Sequence, residues 1–150
     1  MSAGCGARIP WEAGGVDGAD RRRVSFSCWA ARCGDASVIT MSGELDLASA
    51  VEVRRAVAQA LTPMPARPSL VVLDLKDVAF CDSSGLSLLL AAAETVSAAG
   101  ARLALGAVGP RLTRVLTITG LCRRFLIYDS VADAMAFLAR PGNAETAAWC

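Results

Sequence analysis

Apolar and polar positions follow one another in a pattern that predicts β, β, α, β, α, β, α, β, α. Residues 24–29 and 37–45 read as two strands joined by a turn around 32–35. In the second, Val38, Thr40 and Ser42 alternate with Ile39, Met41 and Gly43, so this pair turns one face to a core. Residues 47–61 read as a helix with Asp46 as its N-cap and Val51, Arg54, Arg55, Ala58 and Leu61 as a mixed, amphipathic series. The prolines of TPMPARP end it. Residues 70–75 are a continuous run of Leu and Val broken only by Asp74, as expected of a central strand covered on both faces. Residues 83–98 follow as a helix, with Leu86, Leu89, Leu90, Ala93 and Val96 or Ser97 at helical spacing and Gly100 beyond its end. A strand at 102–106, a helix at 110–119 opened by Pro110 and closed by Gly120, a short strand at 125–128 and a helix at 130–138 capped by Ser130 complete the order. Strand–helix–strand units need crossovers, which are nearly always right-handed, so a mixed sheet with helices packed around it is the economical architecture.

Composition adds limits. The 150 residues suit one domain, and a 54% hydrophobic content supplies a sizeable core. Residues 1–22, with repeated glycine, read as an N-terminal tail, 23–139 as the domain, and 140–150 as a C-terminal tail. A net charge of +1 lacks the basic footprint of a nucleic-acid binder, and Arg21–23 read as a solvated run. The six cysteines are scattered, none in a C-x-x-C pair, and there is no histidine, so zinc-site spacing is absent and no metal or cofactor is expected. Cys28, Cys81 and Cys122 sit in apolar contexts as buried free thiols do; disulfides are not expected, and a reducing cytoplasm is the default location. The longest apolar run, LSLLLAAA, is too short to span a bilayer, so no membrane partner is expected.

One short stretch stands out, AFCDSSGLSLLL at 79–90. Asp82, Ser83, Ser84 and Gly85 form a polar island between two strongly apolar segments. A nucleophile elbow would want a glycine two residues before the serine and a histidine base, and both are missing; Lys76 is the only candidate for a Ser-Lys pair and has no motif around it. No catalytic residue is therefore assigned. A helix cap accounts for part of the island, since Asp82 or Ser83 would accept from a free N–H of the first turn. Capping needs one such residue, and Gly85 in a first turn is less favourable than alanine, which points to something approaching closely there. A third reading is a switch. A phosphate at a helix N-terminus is favoured by the dipole and free N–H groups, so a modified serine leaves the fold intact. It also adds roughly −1.5 to −2 charges beside Asp82, which would turn away a partner docking over the helix end.

Three segments, GELD at 43–46, LDLKDVAFCDSSGL at 73–86 and GPRLTRVLTITGL at 109–121, resemble the STAS domain, and more narrowly the bacterial anti-sigma factor antagonists, across about residues 24–138. The resemblance implies an α/β fold with a mixed sheet of four to five strands and about four helices. It implies a regulator whose unphosphorylated form binds an anti-sigma factor that is also a serine kinase, freeing the sigma factor. The kinase would use its own ATP to phosphorylate a DSSG serine, separating the pair, and a phosphatase would reset the switch. Ser84 aligns with the phosphorylated serine of the sporulation-type members, with Ser83 as the runner-up. Asp82, Ser83, Ser84 and Gly85, together with Glu44 and Asp46 of the GELD turn, are the expected partner-binding residues; for Glu44 and Asp46 a turn-and-cap role explains the residues equally well. Ser87, where the family often has Gly or Ala, and Gly109, where it commonly has Ser, depart from the pattern without removing the phosphoacceptor. The alternative within the family is a STAS subunit of an ABC-type lipid transporter or of another non-sigma complex; such members tend to replace the serine pair. Nucleotide binding by the domain itself would want a phosphate-binding glycine loop, which this chain lacks.

Overall fold

The computed structural model describes residues 26–63 and 66–138. The two tails read from the sequence, and the start of the first predicted strand, lie outside these residues. A five-stranded sheet has the order β1(Ser27–Cys33), β2(Ala36–Leu45), β3(Leu70–Cys81), β4(Arg102–Gly106), β5(Leu126–Tyr128). The β1–β2 hairpin is antiparallel and every other pairing is parallel. The helices are α1(Ala50–Ala60), α2(Ser83–Ala98), α3(Pro110–Thr119) and α4(Val131–Leu138).

The sheet divides the apolar side chains by the period-2 geometry of its strands. On one face Ile39, Met41, Leu45, Val71, Leu73 and Leu75 pack with α1, α2 and α3; on the other, Ala36, Leu70, Val72, Ala104 and Tyr128 pack with Ala134 of α4. Both faces of β3 are thus covered over Leu70–Leu73, which is why this run reads as continuously apolar.

Several boundaries differ from the sequence reading for identifiable reasons. Strand β3 runs on through Lys76 to Cys81, six residues past its apolar stretch. Beyond Asp74 it has lost its β4 partner and pairs only with β2, with register shifts after Thr40 and Gly43. A strand held on one side, with Lys76, Asp77, Ala79 and Phe80 exposed, leaves no alternation to read. The helix expected at 47–61 opens as a 3-10 turn over Leu47–Ser49, and its core stripe is Ala50, Val53, Ala56, Val57 and Ala60; Val51, Arg54, Arg55 and Ala58 face solvent. In α2 the buried stripe is Gly85, Leu88, Leu89, Ala92 and Val96, with Leu86, Leu90 and Ala93 half-buried. That helix is apolar around most of its first turns, so spacing alone does not choose its face. Leu121–Arg124 form a further 3-10 turn before β5 that no local pattern announces.

The expectation of free thiols holds for Cys28 and Cys81 and is corrected for Cys122. Cys28 and Cys81 are free, whereas Cys33 and Cys122 are disulfide-bonded. Their scattered spacing carries no trace of this, because disulfide connectivity depends on tertiary proximity.

Candidate functional site

Two adjacent parallel strands end side by side, since Leu45 of β2 is the register partner of Cys81 of β3. From this one place the chain leaves the sheet twice, through Asp46 into α1 and through Asp82 into α2. Two helix N-termini therefore start together at the carboxyl end of the strands, the end at which open α/β sheets place their functional residues.

At the start of α2, Asp82 is extended (φ −100°, ψ −169°) and its Oδ1 accepts from the Gly85 N–H at 2.9 Å. The Leu86 N–H donates to the Asp82 carbonyl at 2.9 Å, and the Asp82 N–H donates to the carbonyl of Leu45 at 3.4 Å. Asp82 is thus the N-cap and also the stitch between the two strand ends. The serines follow at the first two helical positions, whose N–H groups have no intrahelical acceptor. Ser83 is exposed and Ser84 half-buried.

Gly85 is buried, and its neighbour is the chain's own backbone. A Cβ there would run into the Leu45 carbonyl oxygen and come within 2.8 Å of Cys81 Sγ. The close approach that the glycine implied is the landing of α2 on the end of β2.

Asp46 opens the other helix, but Ser49 closes its turn. The Asp46 N–H donates to Ser49 Oγ at 3.1 Å, and that hydroxyl donates to the Asp46 carbonyl at 2.8 Å. Asp46 is the N-cap of this opening turn, as the sequence reading expects, and it shares a reciprocal capping box with Ser49. Glu44, half-buried, lies opposite Phe80 across the β2–β3 pair. The Leu45–Asp82 bond and the packing of Gly85 on Leu45 bring the GELD segment, which the structure places at the end of β2, and the DSSG helix start to one edge. The pattern did not reveal the apolar surroundings: Leu47, Val51 and Phe80 are exposed at this same end. The signal available was that Leu47 and Val51 fall off the buried stripe of α1.

Cys81 sits beneath the island. Burial, reinforced by the negative charge of Asp82, pushes its thiol up to about 11; burial and then Glu52 push Cys28 up to about 12. Both are protonated at neutral pH and are poor nucleophiles. Among the described residues no group of three or more Cys, Asp or Glu is placed to hold a metal, and no helix is long and apolar enough to cross a membrane.

The site thus combines a mixed five-stranded sheet with a DSSG helix start and a GELD strand end on one rim. Residues 30–134 match the STAS domain, and the chain belongs to that family. Among its relatives, the anti-sigma F factor antagonist of Paenibacillus polymyxa is 32% identical over 101 residues, 67% of this chain and 85% of that protein. The crystal structure of an anti-sigma factor antagonist from Mycobacterium paratuberculosis superposes with a TM-score of 0.67 at 28% identity, covering 77% of this chain and 96% of that one. A sulfate transporter family protein from Wolinella succinogenes shares the fold alone, with a TM-score of 0.60 at 19% identity over 70% of this chain and 85% of that one. The fold thus serves more than one task, and the relatives with the higher identity are named as regulators.

Proposed function

We propose that this protein is an anti-sigma factor antagonist switched by phosphorylation of the DSSG segment, and that it carries out no catalysis itself. The single observation that carries this reading is the pair of serine hydroxyls on the first two positions of α2, one exposed and one half-buried, on a helix start fixed to the sheet by Asp82 and Gly85. A rigid helix end lets a kinase write on a serine without unfolding the domain. The free N–H groups there accommodate a phosphate, so the modified protein stays folded while its docking surface gains roughly −1.5 to −2 charges beside Asp82.

In this reading the unmodified protein sequesters an anti-sigma factor that is also a serine kinase. That kinase transfers the γ-phosphate of its own ATP to the serine hydroxyl, releasing ADP and separating the pair. A phosphatase hydrolyses the phosphoester and restores the binding form. Ser84 is the acceptor by its alignment with the family's modified serine, and Ser83, the more exposed of the two, is the runner-up. Asp82, Ser83, Ser84, Glu44 and Asp46 form the contact surface, and Gly85, buried against Leu45, supports it from beneath. In this reading the protein meets its anti-sigma factor in the cytoplasm.

The test is phosphorylation by the anti-sigma factor kinases of the source genome, each purified singly and supplied with ATP. Phosphopeptide mapping of wild type, Ser83→Ala and Ser84→Ala follows. The expected result is one phosphate on wild type and Ser83→Ala and none on Ser84→Ala. Phosphorylation of Ser84→Ala and not Ser83→Ala would move the acceptor to Ser83. No phosphate from any kinase would overturn the switch.

A further inference from the structure

Four large apolar side chains are strongly exposed among the described residues, and three stand at the end of the sheet that bears the serines. Leu47, 73% exposed, follows Asp46 directly; Val51, 59% exposed, is four residues further along the same helical run; Phe80, 49% exposed, stands opposite Glu44 and two residues before Asp82. The fourth, Ile118, is on α3. Apolar residues exposed singly are ordinary, but several gathered about one polar feature mark a surface made to be covered.

Nothing in the fold asks for these residues. The first turns of α1 already bury Ser49, Ala50 and Val53, so Leu47 and Val51 lie outside the stripe that packs on the sheet. Phe80 belongs to the part of β3 that has outrun β4 and pairs on one side only.

We propose that Leu47 and Phe80, extended by Val51, are the apolar anchors by which the unmodified protein holds its anti-sigma factor, at the end of the sheet that carries the DSSG helix start. This rests on the function proposed above. The occupant is the anti-sigma factor, because the anchors are continuous with the switch: Leu47 follows the GELD segment, Phe80 precedes Asp82, and the Asp82–Leu45 hydrogen bond joins the two segments. The placement also explains how one phosphate acts. Seating anchors at the same end of the sheet as the serines strips water from this rim, as the centre of a tight interface requires. A serine hydroxyl tolerates that with one hydrogen bond. A phosphate dianion does not, since burying an unpaired charge costs far more than burying a hydroxyl. The anchors thereby convert a modification of the rim into loss of the whole contact.

Leu47→Ala, Phe80→Ala and the control Ile118→Ala, as exposed as Leu47 and on another helix, are titrated against the same purified anti-sigma factor kinases without ATP. Folding is checked by circular dichroism, which exposed substitutions leave unchanged. The expected result is a tenfold or greater loss of affinity for Leu47→Ala and for Phe80→Ala, with Ile118→Ala within twofold of wild type. Wild-type affinity in both anchor variants would overturn the anchors and leave the proposed function standing. Failure of wild type itself to bind any of the kinases would overturn the function and the anchors with it.

Discussion

Gly85 is the residue on which the geometry of the site rests, and Gly85→Ala tests that directly. Two opposed effects act. Alanine is the better helix former by at most about 1 kcal/mol, so a helix start judged from propensity alone gains stability. The added methyl, however, meets the Leu45 carbonyl oxygen and lies 2.8 Å from Cys81 Sγ. Overpacking of this kind costs about 1–3 kcal/mol. The upper part of that range applies because the obstacle is the backbone of a fully buried strand residue, which cannot rotate aside. The net expectation is a loss of about 1–2 kcal/mol, read as a fall in melting temperature of several degrees at roughly 4 °C per kcal/mol for a domain of this size. Urea and thermal unfolding of both proteins supply the measurement. Cys81→Ala in the Gly85→Ala background should recover only part of the loss, since it clears the sulfur and leaves the carbonyl. If Gly85→Ala is as stable as wild type or more so, α2 does not land on the end of β2 as described. The argument that the serines are rigidly presented then fails.

Three further expectations follow from the same geometry. Asp82→Ala removes the cap on the Gly85 N–H and should cost about 1 kcal/mol, with faster hydrogen exchange in the first turn of α2; Asp82→Asn should retain most of it. If the two substitutions are equal in effect, the cap is not the source. Arg32 donates to the carbonyls of Thr62 and Ala66 and to Ser37 Oγ, whose hydroxyl in turn donates to the Ala60 carbonyl at 2.8 Å. Arg32→Lys loses this fork and should destabilise by about 1–2 kcal/mol in urea unfolding, and an unchanged midpoint would contradict the assignment. Burial raises the Cys28 thiol to about 12 and the Cys81 thiol to about 11 from an ordinary 9.0. The unfolded chain therefore loses these protons first: the contribution is intact below pH 9 and is lost as pH rises from 9 toward 11–12. Stability measured between pH 8 and 10.5 should fall above pH 9, and less steeply in the Cys28→Ala/Cys81→Ala variant; parallel slopes would contradict the burial of the thiols.

The architecture was legible wherever burial left a periodic trace. The alternation in β2, the unbroken run at the start of β3 and the glycine- and proline-bounded α3 all follow from local chemistry, and they sit in the structure close to where the pattern places them. The far half of β3 was illegible because a strand paired on one side, with both faces partly exposed, has no alternation to display. The buried face of α2 was illegible for the opposite reason, too many apolar positions. The DSSG island announced itself through its polar residues, and Gly85 announced a close approach without saying to what. That required the register of β2 and β3, a relation between residues 45 and 81 that no local window contains. The apolar surroundings of the site were hidden for a similar reason. Leu47 and Val51 look like core residues until the rotation of α1 shows that its buried stripe lies elsewhere. The disulfides of Cys33 and Cys122 depend wholly on tertiary proximity and left no mark in their spacing.

The central claim is that one phosphate on the DSSG helix start abolishes the hold on an anti-sigma factor while leaving the fold intact. Its most direct test is to titrate the cognate anti-sigma factor with unmodified protein and with the same protein carrying a single phosphate on Ser84, after showing that the two melt within a degree or two of each other. The account predicts at least a hundredfold weaker binding of the phosphorylated form, about 2.7 kcal/mol. Equal affinity of the two forms would contradict it.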